Sequence, residues 1–461
     1  MSVREMNTLE AMIDALRHEM RRDPNVIYLG EGTGERGGTY GHTLGLYQEF
    51  GKERMIDTPI SELGFTGACI GAAVNGCRPI ADLMFMDFAA DAMSQIVNQA
   101  AKLRYMSNGQ TGVPMVIWAG VGAVKSAGPH HSGCLYPWFM HVPGLKVVIP
   151  SNPADTKGLL ASAIRDDDPV VFCAHKLLFP RRMPVPEGEY YVPLGRAALA
   201  RQGGDVSLIA TGMMVHLALE AAERLAAEGV QCEVLDLRSL VPMDVDAIVA
   251  TASRTGRVLV LDEAYSPCGV GAEVAALINE HAFHQLRAPV LRMHTASVAH
   301  PFSPVFDSAI FPQLDQVIEK VRHLLRGGAT STPNRPLRPT DTATSGMPER
   351  LNTPTPEPPT PEPPSSSSIG GLGGPDPRTA VTIPNQGLTV DSARIVRWLV
   401  EVGDTVREGQ ALYEIETDKI VMEVEAETDG VVDEILHPAD TSLPLGACVA
   451  WLTAPVPATR R

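Results

Sequence analysis

Between Gly327 and about Arg378 the chain reads GGATSTPNRPLRP…TPTPEPPTPEPPSSSSIGGLGGPDP, and this stretch constrains every fold the sequence can adopt. Proline, serine, threonine and glycine dominate it, and large apolar side chains nearly vanish. Such a segment cannot bury enough surface to offset the entropy lost on ordering. It predicts a disordered linker, part polyproline-like and part flexible. At roughly 50 residues its random-coil span is on the order of 40 Å, and fully extended it reaches well over 100 Å. The 461 residues therefore divide into an enzyme-sized segment before it and a small segment after it.

Before the linker, strand-like runs alternate with helical ones. NVIYLG, PMVIWAG, LKVVIP and PVVFCA are apolar and β-branched, whereas SQIVNQAAKLRYMS and SNPADTKGLLASAIRD carry helical spacing. Ser151 or Asn152 can cap the second of these helices, and Pro153 suits its first turn. The alternation predicts an α/β fold with a mainly parallel sheet. It resumes after GRAALARQGGD with VSLIATG, HLALEAAERLAAEG, QCEVLDLRSL, DVDAIVATASRTG and RVLVLDEAY. The expected domains are 1–195 and 204–326, then the linker at 327–378. From 379 to 455 the pattern changes to short alternating segments separated by VGD, REG and TDG, which is an all-β reading. Its halves, Ile383–Ile415 and Val421–Leu452, are of similar length and suggest a pseudo-symmetric flattened barrel.

At the midpoint of that barrel lies EIETDKIVMEVEA, Glu414 to Ala426. Strict alternation on both sides fixes a hairpin register and leaves Lys419 at the turn. A small domain with one amine on a long tether is what a swinging carrier needs, because tethering raises its effective concentration at a partner site.

Composition narrows the field. A net charge of -16 argues against nucleic acid or anionic membrane as a partner. The longest near-apolar run, Val113 to Val124, is too short and glycine-rich to span a bilayer. MSVREMNTLEAMIDALRHEM has its apolar residues at helical spacing and reads as an amphipathic helix, not a leader. The seven cysteines form no CxxC pair and read as reduced, mostly small core residues of a cytoplasmic protein.

GDTVREGQALYEIETDKIVMEVEAETDG strongly resembles the lipoyl domains of 2-oxo acid dehydrogenase complexes. The resemblance implies lipoate in amide linkage on Lys419, with Asp418 and Ala426 matching the usual pattern. Biotin carrier domains share the fold, but their lysine usually stands between methionines, whereas here Asp418 and Ile420 flank it. HPADTSLPLG replaces a second Gly-Asp turn of the family.

Residues 1–325 resemble the beta subunit of the thiamine-diphosphate-dependent first component of the same complexes (pyruvate, branched-chain or acetoin type). The stretches that carry this are LGEGTGERGG, RMIDTPISELGFTGACIGAAVNGCRPIADLMFMDF, QIVNQAAKLRYMSNGQ, HVPGLKVVIPSNPADTKGLL and DLRSLVPMD. The resemblance implies a transketolase pyrimidine-type domain followed by a transketolase C-terminal domain. In Thr58-Pro59-Ile60-Ser61-Glu62, Glu62 is the acid expected against the aminopyrimidine ring nitrogen, where burial would favour its protonated form. Ile60, Met84 and Phe88 match positions that line or stack on that ring. His131, in His130-His131-Ser132, matches an acid/base group near the reacting carbons; imidazole suits the work, and adjacent His130 has a comparable claim on chemistry alone. Met115, Ala163, Asp166 and Asp168 match a main-chain potassium site, against the alternative that DDDP is a helix-ending turn.

The chain has no Gly-Asp-Gly magnesium motif for the cofactor's diphosphate. That function is expected from a separate alpha subunit carrying Mg²⁺, in an α2β2 assembly. A dihydrolipoamide acyltransferase and a dihydrolipoamide dehydrogenase are the further partners expected. Two alternatives stand beside this reading: acetoin cleavage, and a non-catalytic lipoyl carrier or scaffold.

Overall fold

The computed structural model describes residues 2–124, 126–327, 378–383, 392–416, 421–444 and 446–453. The linker residues 328–377 lie outside that set, as do Asp418, Lys419 and Ile420. The chain divides into two units, Met1–Met347 and Pro348–Arg461.

The first unit holds two large sheets and a two-stranded ribbon in which Val3–Met6 pairs antiparallel with Met183–Pro186. The larger has seven strands, in the order Ser239–Val241, Lys146–Val148, Val170–His175, Val116–Val121, Arg78–Phe85, Val26–Gly30 and Met55–Asp57. All pairings are parallel except the first, where Ser239–Val241 runs antiparallel to Lys146–Val148. Helices cover both faces, as a parallel sheet requires. On one face the helix Thr8–Arg22 buries Met12, Leu16 and Met20 among Tyr28, Trp118 and Phe172. It begins with a capping box in which Asn7 and Glu10 satisfy each other's main-chain N–H groups. Beside it lies Pro153–Arg165, capped by Asn152, whose Oδ1 accepts from the Asp155 N–H at 2.8 Å. Ser151, the other candidate cap, donates instead to Asp236 at 2.5 Å. On the opposite face the helix Glu62–Val74 buries Phe65, Cys69 and Ile70.

The smaller sheet has the order Leu291–Thr295, Val258–Tyr265, Val206–Ala210, Cys232–Asp236 and Ala198–Arg201, with only the last strand antiparallel. QCEVLDLRSL therefore does not form one strand. It breaks at Arg238, whose φ is +57° and whose N–H donates to Asp236 Oδ1 at 3.0 Å. Its first half joins the smaller sheet and its second half the larger one. All seven cysteines are free thiols.

The second unit consists of two four-stranded antiparallel sheets. One contains Thr379–Thr382, Cys448–Thr453, Gly430–Ile435 and Thr405–Val406; the other contains Val421–Glu425, Ala411–Glu416, Ser392–Trp398 and Ser442–Pro444. Each sheet draws two strands from either half of the sequence, so the internal similarity of the halves becomes a pseudo-symmetric β-sandwich. Its core includes Ile395, Leu412, Ile415, Val432 and Val449. Trp398 and Tyr413 pack ring on ring at 4.7 Å, and the Tyr413 hydroxyl donates to the Thr382 carbonyl at 2.9 Å. Glu416 is paired with Val421, so the positions between them, including Lys419, connect two hydrogen-bonded strands.

Candidate active site

In a parallel sheet, side chains that do chemistry gather where the strands end. Here the C-terminal strand ends are Gly30, Asp57, Phe85, Val121 and His175. Each sequence-predicted catalytic residue follows one of them. Glu62 opens the helix after Met55–Asp57, Met84 and Phe88 lie at the end of Arg78–Phe85, and His131 follows Val116–Val121.

Met84 adopts a left-handed backbone, φ +61°, costly for a residue with a Cβ. The conformation is held by Asp82, whose Oδ1 accepts the Met84 N–H at 2.8 Å. Asp82 is buried. Its other oxygen accepts from His42 Nε2 at 2.7 Å and from the Tyr28 hydroxyl at 3.1 Å. The His42 ring stacks on Trp118 at 4.5 Å. Gly120 makes room for this turn, since a Cβ there would lie 3.0 Å from the Met84 carbonyl oxygen. None of Asp82, His42 and Tyr28 was singled out from sequence. The readable signal was an acid inside IADLMF, a strand otherwise apolar.

His131 is half-buried and packs edge-on against Phe85 at 4.7 Å and Phe88 at 5.6 Å, whereas His130 is exposed. Burial lowers the imidazole's proton affinity, the Asp87 carboxylate opposes this, and the Lys176 ammonium adds to it. Asp87 in turn accepts the Gly133 N–H at 3.1 Å, tying the Phe88 turn to the His131 loop. Lys176, unpredicted and buried, donates to the His131 carbonyl and lies 4.8 Å over the Phe85 ring. Next to it, His175 Nε2 and Glu263 Oε2 form a buried pair at 2.6 Å.

Glu62 is half-buried. Burial first, then the charges of Asp91 and Glu31, raise its carboxyl above the usual range. Its neighbours are left open: Ile60 is 77% exposed and Leu63 47%. The structure thus brings Phe88 and His131 together with Phe85, next to the turn at Met84, and sets Glu62 beside an uncovered apolar surface.

The four potassium-site positions lie elsewhere, at the C-terminal end of Pro153–Arg165 and just before Val116–Val121 and Val170–His175. The Met115 carbonyl accepts from the Val170 N–H at 3.0 Å, that of Ala163 from Asp166 at 3.3 Å, and that of Asp166 from Arg78 at 2.9 Å. The carboxylates pair with cations, Asp166 with Lys146 at 2.7 Å and Asp168 with Arg104. Among the described residues no helix is long and apolar enough to cross a membrane.

Residues 4–182 match the transketolase pyrimidine-binding domain family, 195–317 the transketolase C-terminal domain family, and 379–452 the biotin-requiring enzyme family. The chain is 46% identical over 335 residues to the acetoin:2,6-dichlorophenolindophenol oxidoreductase subunit beta of Cupriavidus necator, covering 70% of this chain and 99% of that protein. It is 42% identical over 322 residues to the pyruvate dehydrogenase E1 component subunit beta of Bacillus subtilis, covering 70% and 99%. A solved split-gene transketolase, described as an inactive beta4 tetramer, shares the fold with a TM-score of 0.59 at 24% identity, over 70% of this chain and 99% of that one. With relatives this close over nearly their whole length, the chain belongs to the family of beta subunits of the thiamine-diphosphate-dependent first component of 2-oxo acid and acetoin dehydrogenases, with a biotin/lipoyl-type domain appended.

Proposed function

We infer that the protein is the beta half of a thiamine-diphosphate-dependent dehydrogenase that cleaves a 2-oxo acid and passes the acyl group to lipoate, its own on Lys419 or a partner's. The observation that carries this is the cluster at the strand ends, where Phe88 and His131 meet next to the strained turn at Met84. The residues suit the cofactor's aminopyrimidine. Glu62, biased toward its protonated form, would donate to the ring nitrogen; Ile60, Met84 and Phe88 would line and stack on the ring. Bound thiamine diphosphate would supply the carbon nucleophile that attacks the substrate carbonyl. His131, biased toward the neutral imidazole, would accept and return a proton beside the reacting carbons. His130, exposed, is the weaker candidate for that role.

The chain has no Gly-Asp-Gly motif, so Mg²⁺ and the diphosphate fall to an alpha subunit. The open apolar surface at Ile60 and Leu63 supports such a partner, and we expect an α2β2 assembly. A dihydrolipoamide acyltransferase and dihydrolipoamide dehydrogenase would complete the complex. Potassium, held by the main-chain carbonyls of Met115, Ala163, Asp166 and Asp168, would brace the larger sheet. Seven free thiols suit a reducing compartment, the cytoplasm. Acetoin is the second substrate reading, favoured by the Cupriavidus necator relative.

Assembly with the alpha subunit, thiamine diphosphate and Mg²⁺, followed by dichlorophenolindophenol reduction with a panel of 2-oxo acids and acetoin, tests this. One substrate should support turnover. No reduction with any of them, despite stable assembly, would leave only the carrier or scaffold reading. Intact mass tests the arm: protein made in lipoylating cells should gain one lipoyl group, and Lys419→Ala should not.

A further inference from the structure

We propose that Lys176 is a positioning residue for His131, clamping the main chain that carries the imidazole and setting a fixed positive charge beside it. The inference rests on His131 serving as the acid/base group.

A lysine 2% exposed needs a reason, because burying an ammonium is costly and an apolar side chain would fill the same channel without that cost. The channel is made for it. A Cβ on Gly120 would lie 3.3 Å from Lys176 Cγ, so the glycine admits the stem. The stem leads the ammonium over the face of Phe85, 4.8 Å from its centroid, and onto the His131 carbonyl. The same Phe85 ring meets the His131 imidazole in an edge-to-face contact. Lys176 thus holds His131 twice, through its main chain and through the ring that bounds its side chain. The imidazole also hydrogen-bonds to the Ala127 main chain, so both ends of the 127–131 loop are fixed.

The charged groups around the pair are few. Asp87, Lys176 and His130 face His131; Asp87, Cys134 and Glu263 face Lys176. Burial lowers the Lys176 amine to about 8, against the pull of Asp87 and Glu263. Near neutral pH the amine is a cation and disfavours a second positive charge on His131. Above about pH 8 it discharges.

The test uses the full chain assembled with its alpha subunit, thiamine diphosphate and Mg²⁺, with dichlorophenolindophenol as acceptor. Lys176→Met removes both donor and charge; Lys176→Gln keeps a donor and removes the charge. Lys176→Met should lower kcat about tenfold or more with KM nearly unchanged. Both variants should lose the alkaline limb of the pH profile near 8, and both should move the acid limb to higher pH, because His131 then holds its proton more readily. Nuclear magnetic resonance titration of labelled histidines, with His131→Asn for assignment, reads the same shift without turnover. If Lys176→Met fails to fold, the Gln variant carries the test alone. Limbs and a His131 midpoint that stay where the wild type has them would overturn the proposal. Full turnover in His131→Asn would instead overturn the acid/base reading, while the titration still judges the clamp.

Discussion

Asp82 has to satisfy three donors at once: His42, Tyr28 and the main chain of Met84. Removing it leaves a buried histidine without its partner and a left-handed methionine without its anchor. Leaving a buried hydrogen-bonding group without its partner costs about 1–3 kcal/mol. Asp82→Ala should therefore lose stability of that order in urea, and Asp82→Asn distinctly less, since its amide oxygen can still accept one bond. Equal loss in both would show that the charge, not the acceptor geometry, holds the turn. Glu62, Met84, Phe88 and His131 could be proposed from the sequence because each sits in a short linear pattern. Asp82 and Lys176 could not, because their partners are remote in the chain: Asp82 bonds residues 40 and 54 positions away, and Lys176 one 45 positions away. No local pattern announces such contacts.

At the scale of elements, local rules held where local bonds decide. The helix Pro153–Arg165 was readable from its start because Asn152 accepts the Asp155 N–H within the same turn. Asn152→Ala should cost about 1 kcal/mol, read as a shifted urea midpoint with unchanged slope; no shift would mean that Pro153 and Asp155 suffice. QCEVLDLRSL shows the limit. Its apolar run looks continuous, and its division between two sheets depends on where Arg238 turns, which packing decides. The arms on either side of Lys419 follow the opposite logic: period-two alternation predicts pairing, and Ala411–Glu416 and Val421–Glu425 pair antiparallel, with a register shift between Ala411 and Tyr413.

For the whole molecule, the uncovered apolar surface beside Glu62 makes the strongest forecast. Ile60 and Leu63 stand open, at 77% and 47% exposure. If the alpha subunit covers this surface, Leu63→Asp should abolish co-assembly in size-exclusion chromatography. The isolated chain should stay within about 0.5 kcal/mol of wild-type stability, as for most surface changes. Normal assembly of Leu63→Asp would move the subunit contact elsewhere. The larger sheet carries a different consequence. Its outermost strand, Ser239–Val241, arrives from beyond the second sheet's first strands and seals the side of Lys146–Val148. A truncated gene ending near 195 would therefore release a product with a raw β-margin, open to pairing with its own kind, and the two α/β lobes are one inseparable piece of engineering stock.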